Sequence, residues 1–72
     1  MPKLPRIKPR DAIKALERAG FVFMRQKGSH KLYMKENSSV TISYHNKNMK
    51  PKTLRSVIKQ SGLELEEFID LL

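Results

Sequence analysis

The stretch FVFMRQKGSHKLYMKENSSVTISY, residues 21–44, decides the fold. Phe21 to Gln26 is aromatic and β-branched, which suits an extended backbone. Gly28-Ser29 breaks that run, and Lys31 to Lys35 forms a second one. Glu36-Asn37-Ser38-Ser39 supplies turn chemistry. Val40-Thr41-Ile42-Ser43-Tyr44 then alternates apolar and polar residues, the period of a strand with one buried face. Connections this short predict an antiparallel, three-stranded meander. Val40, Ile42 and Tyr44 on one side imply a sheet covered on one face only. In the middle run, Leu32 and Met34 read as core residues, with Tyr33 on the opposite face.

The flanks supply the cover. Residues 1–8 carry Pro2 and Pro5 and no period, so they read as an extended lead-in. Pro9 fits a first helical position, and Asp11 places a negative charge in the first turn, where the helix dipole favours it. Ala12, Ile13, Leu16 and Ala19 mark one face of a helix over 9–19, with Gly20 just past its end. Asn46 to Pro51 is a loop. A second helix follows, with Pro51 near its start, Thr53 as its N-cap, Leu54, Val57 and Ile58 as its apolar stripe, and Gly62 closing it. Leu65, Phe68, Ile69 and Leu72 fall at i, i+3, i+4 and i+7, a short C-terminal amphipathic helix that reads as core packing. The predicted order is α-β-β-β-α in an α+β domain with its helices on one face. It resembles the double-stranded-RNA-binding fold in element order. Residues 1–72 are expected to form one domain.

Composition narrows the function. A chain of 72 residues leaves no room for a second core, and a domain this small has marginal stability. There is no cysteine, which excludes disulfides and thiolate metal sites. The two histidines lack a tight carboxylate cluster, so no metal or other cofactor is expected. No apolar run approaches the ~20 residues that span a bilayer, and no secretory signal is visible. A cytoplasmic protein with no membrane role is the expectation. The formal net charge is +8, unevenly distributed. All 15 Lys and Arg lie in residues 1–63 against Asp11, Glu17 and Glu36, whereas Glu64, Glu66, Glu67 and Asp70 crowd the last nine residues. A basic body of this kind suits a nucleic-acid phosphate backbone.

The chemistry-bearing residues concentrate around Gly28-Ser29-His30. Histidine is the side chain that titrates near neutral pH without special tuning, and Arg25, Lys27 and Lys31 bracket it. Neighbouring cations favour the neutral base, which suits abstraction of a ribose 2′-OH proton or, in the reverse sense, protonation of a leaving 5′ oxygen. The cations can stabilise charge on the phosphorane. The amides around Gly28 and Ser29 can add donors. Lys52 and Thr53, at the start of the second helix, form a further phosphate site. His45 is either a general acid opposite His30 or a loop histidine, the blander reading being favoured. Tyr33 is either a platform for a stacked base or a packed edge tyrosine. For His30 itself, a structural role stands beside the catalytic one. Strand alternation puts it on the face of Leu32 and Met34, toward the presumed core, unless the glycine-serine turn redirects it.

Three segments taken together are specific: Ala19-Gly20-Phe21, Gln26-Lys27-Gly28-Ser29-His30, and Lys50 to Gly62 (KPKTLRSVIKQSG), followed by a Glu-Glu-Phe tail. In this order they resemble the HicA-type toxins (the YcfA-like family) of bacterial or archaeal HicA/HicB toxin–antitoxin systems, over nearly the whole chain. Tyr44 stands where that family commonly has proline, and Lys52 where it commonly has glycine. The resemblance implies a fold similar to a double-stranded-RNA-binding domain and an endoribonuclease (an mRNA interferase) that blocks translation by cleaving mRNA. It assigns His30 as the catalytic residue and a HicB-like antitoxin as a partner masking the active site. Scattered acids point to a metal-independent reaction. The rival readings are a non-catalytic double-stranded-RNA-binding module, for which His30 would be dispensable, and a DNA- or ribosome-associated basic protein.

Overall fold

The computed structural model describes Leu4 and residues 6–72. The first helix, α1, runs Pro9–Arg18, and three strands follow: β1 (Val22–Lys27), β2 (His30–Lys35) and β3 (Ser38–Ser43). Two helices close the chain, α2 (Pro51–Ser61) and α3 (Leu65–Asp70). The sheet is antiparallel in the order β1-β2-β3. The predicted α-β-β-β-α order and α+β class therefore hold.

Local chemistry explains the boundaries. Pro9 opens α1, and the Asp11 carboxylate accepts a hydrogen bond from the Lys8 backbone N–H at 3.0 Å, satisfying a donor the helix leaves free. The helix ends at Arg18 with Ala19 as its C-cap, one residue before the predicted end. Pro51 opens α2, and the N-cap is Lys50. Thr53 is thus the third helical residue and not the cap, because proline, which has no N–H to satisfy, takes the first position. The turn between β2 and β3 shrinks to Glu36 and Asn37, since Ser38 and Ser39 pair with Lys35 and Met34. Of the predicted lead-in, Met1, Pro2, Lys3 and Pro5 lie outside the described residues. Ile7 is buried, and its carbonyl accepts from the Met49 N–H at 2.8 Å, which ties the segment before α1 to the loop before α2.

One core holds the domain together. Ile13 and Leu16 of α1, Leu54, Val57 and Ile58 of α2, and Phe68 of α3 meet Phe21, Tyr33, Val40 and Ile42. Phe68 is fully buried, so the acidic C-terminal helix is part of the fold. Its predicted stripe is only partly covered: Leu65 and Ile69 are half-buried and Leu72 is exposed. The Arg18 guanidinium donates to the Leu71 carbonyl at 2.6 Å and fastens this helix to α1.

Pairing register determines which face of the sheet is covered. Tyr33 stands opposite Val40 and Lys31 opposite Ile42, and directly paired side chains share a face. Tyr33 is only 4% exposed and therefore faces the helices, whereas Leu32 is half-buried and Met34 exposed on the other side. The expectation that Leu32 and Met34 are core is corrected. Alternation within β2 allowed either face, and the strongly apolar Val40 and Ile42 decided it through the register. Tyr44 has the parity of Val40 and Ile42 but follows the last residue of β3, so it remains 40% exposed.

Candidate active site

The site begins with a two-residue turn. Lys27 pairs with His30, leaving Gly28 and Ser29 as the connection between β1 and β2. Gly28 has φ +59°, a conformation that costs a residue with a Cβ roughly 1–2 kcal/mol. The Gln26 side-chain amide donates to the Gly28 carbonyl at 2.8 Å. The Tyr44 N–H donates to the Ser29 carbonyl at 2.7 Å, so the chain leaving β3 also holds the turn. His30 is in this way the first residue of β2, paired with Lys27 on one side and Ser43 on the other.

The pairings place His30 on the open face. That face carries Leu32 and Met34 from its own strand and Thr41 from β3. Parity correctly joins His30 to Leu32 and Met34, but their face is the solvent face, and His30 is exposed. No special redirection by the turn is needed.

An irregularity in β1 brings the cations to the same face. Phe23 pairs with Tyr33, and the next pair is Arg25 with Leu32, so Met24 is an extra residue, a β-bulge. Strict alternation from Phe23 would send Arg25 and Lys27 to the helix side. The bulge reverses their parity, and both pair with open-face residues of β2. Arg25, Lys27, His30, Leu32 and Thr41 line one recess of about 290 Å³. Two cations, an imidazole, a hydroxyl and one aliphatic surface converge there, which suits a phosphodiester and an adjoining base or sugar.

The remaining predicted residues are distributed elsewhere. Lys31 faces the helix side, half-buried, and its Nζ lies 4.0 Å from the centroid of the Tyr44 ring, a cation–π contact. Its side chain is thus separated from His30 by the sheet. Tyr33 is buried, with Phe23 packed edge-on at a centroid distance of 5.6 Å. It cannot be a platform for a stacked base, and that reading is withdrawn. Burial, then the charge of Glu17, then Tyr44 push its phenol above the ordinary value of 10.0. His45 and Thr53 line a second groove of about 340 Å³ together with Ser43, Lys47 and Lys50. His45 accepts a hydrogen bond at Nδ1 from the Lys47 N–H, 3.2 Å away. Lys52 is exposed in the first turn of α2 and lines neither recess. Sequence reasoning missed Leu32 and Thr41 as recess walls. The alternation of β3 already placed Thr41 opposite the core residues, but nothing in the sequence signalled the bulge.

Fold and site together describe a small basic α+β domain that presents a histidine and two cations on the open face of its sheet. The sequence of residues 9–63 matches the family described as the HicA toxin of bacterial toxin–antitoxin systems, and the chain belongs to that family. The expected resemblance is therefore confirmed at the level of the family. No curated protein matches the sequence.

Proposed function

We propose that this toxin is an endoribonuclease that cleaves mRNA through His30 and so inhibits translation. The observation that carries the reading is the exposed His30 in one recess with Arg25 and Lys27, in a chain of the HicA toxin family. His30 takes the proton from a ribose 2′-OH as that oxygen attacks phosphorus. The bond to the 5′ oxygen breaks, the departing oxygen takes up a proton from water, and a 2′,3′-cyclic phosphate remains on the upstream fragment. Arg25 and Lys27 offset the charge that builds on the phosphorane oxygens. Thr41 and the amides at Gly28 and Ser29 are further donors at the same end of the sheet. The reading keeps the metal-independent route that the scattered acids Asp11, Glu17 and Glu36 suggest.

The partner in this reading is a HicB-like antitoxin that covers the recess. An acidic surface is apt, because it meets Arg25 and Lys27 where the RNA backbone would. Among the described residues no helix is long and apolar enough to cross a membrane.

The test is His30→Ala. The variant should fold as the wild type does, retain RNA binding and lose cleavage by at least about a hundredfold, the lower end of what a general acid–base group contributes. Cleavage by the wild type should persist in EDTA, and RNA carrying a 2′-deoxy group at the cut position should resist it. Cleavage by His30→Ala at the wild-type rate would overturn the assignment. Activity abolished by EDTA and restored by magnesium would overturn the metal-free route. If the protein binds double-stranded RNA and never cleaves, the non-catalytic module is the better reading.

A further inference from the structure

The second groove lies beside the first. Ser43 pairs directly with His30 and also lines the groove formed by His45, Lys47, Lys50 and Thr53. Both recesses therefore lie at one end of the sheet, and among the described residues no acidic side chain lines either of them. Lys47 and Lys50 are exposed. Because His45 accepts at Nδ1, its neutral ring carries the proton on Nε2, which makes it a hydrogen-bond donor. A groove with two ammonium groups, an imidazole N–H and the Thr53 hydroxyl is chemically complementary to a phosphate.

We infer that this groove is a backbone subsite for single-stranded RNA, so that one strand crosses both recesses with Lys47 and Lys50 holding phosphates next to the one at His30. The inference rests on RNA being the substrate, as proposed above, but not on its being cleaved. A single strand is specified because Leu32 gives the first recess an apolar wall, and only an unpaired base can turn its face to such a wall.

Binding tests the inference apart from catalysis. A fluorescently labelled, ten-nucleotide 2′-O-methyl RNA has no free 2′-OH and is titrated with the full chain by anisotropy over a range of salt. Lys47→Ala/Lys50→Ala should weaken binding about tenfold or more at low salt. It should also flatten the plot of log K against log salt by about 1.4, two phosphate contacts at ~0.7 each. Lys14→Ala/Lys59→Ala, which removes two exposed lysines from outside both recesses, is the control for net charge and should change the slope far less. Circular dichroism confirms folding, and Lys47→Gln/Lys50→Gln serves as a second variant. An unchanged affinity and slope, an equal loss from the control pair, or tighter binding of a duplex of the same length would overturn the inference. If the binding pattern holds in a protein that does not cleave, the catalytic reading fails and this one stands.

Discussion

Tyr33 and His30 occupy one strand and have opposite fates. Three positions apart, they fall on opposite faces, and each face was assigned by its cross-strand partner. Tyr33 meets Val40 and is buried; His30 meets Ser43 and is exposed. Burial holds the Tyr33 phenol neutral, so its pKa in the folded state is raised above 10.0. The stability this contributes is complete below the unfolded pKa and is lost as pH rises through the folded one. Urea denaturation should accordingly show the wild type weakening above pH 10, whereas Tyr33→Phe, which cannot ionise, should weaken less. Parallel losses in the two proteins would show that the phenol is not responsible. Residue types alone identified His30 as a site candidate. They could not separate Lys31 from Arg25 and Lys27, because a side chain's face is a property of the pairing and not of the residue.

At the scale of elements, the β1–β2 hairpin does most to build the site. Its turn was legible in Gly28-Ser29; β1 lies one residue later than the expected Phe21–Gln26, and β2 starts one residue earlier than expected but ends at Lys35 as expected. The bulge at Met24 was not legible, because an extra residue in a strand has no composition of its own and exists only relative to the partner strand. It is nevertheless what turns Arg25 and Lys27 toward His30. Gly28 holds the other end of the hairpin, and a Cβ there would meet nothing within 4 Å among the described residues. Gly28→Ala therefore isolates the cost of the positive φ. It should destabilise the domain by about 1–2 kcal/mol, read from the urea midpoint at unchanged m-value. On the proposed function, RNA cleavage should fall at the same time, as His30 shifts against the recess cations. A variant as stable as the wild type would show that the turn can relax. The edge strand β1 also leaves Val22, Phe23 and Met24 about half exposed or more.

For the whole molecule, the central fact is that one core serves three helices and a sheet covered on one side. Phe68 shows how closely the parts depend on one another: it comes from the acidic end of the chain yet is as buried as Leu16 or Leu54. Phe68→Ala should cost about 3–5 kcal/mol, most of the stability of a domain near the lower end of the usual ~5–15 kcal/mol. Thermal unfolding should consequently show the variant largely unfolded at 37 °C, and a small shift would mean that α3 is peripheral.

The sequence by itself determined the order of elements, the antiparallel meander, the apolar stripes of the helices and the concentration of cations around Gly28-Ser29-His30. These depend on periodicity and on residues next to one another in the chain, which a linear reading contains. Only the tertiary structure decided that the face of His30 is the open one, that Tyr33 lies inside, that Lys31 points away, and that Arg25 and Lys27 share the recess. Each of those outcomes is fixed by strand register, in which a shift of a single residue exchanges the two faces of a sheet. Register is set by which strand buries its apolar side chains against the helices, and that requires the whole chain to be folded.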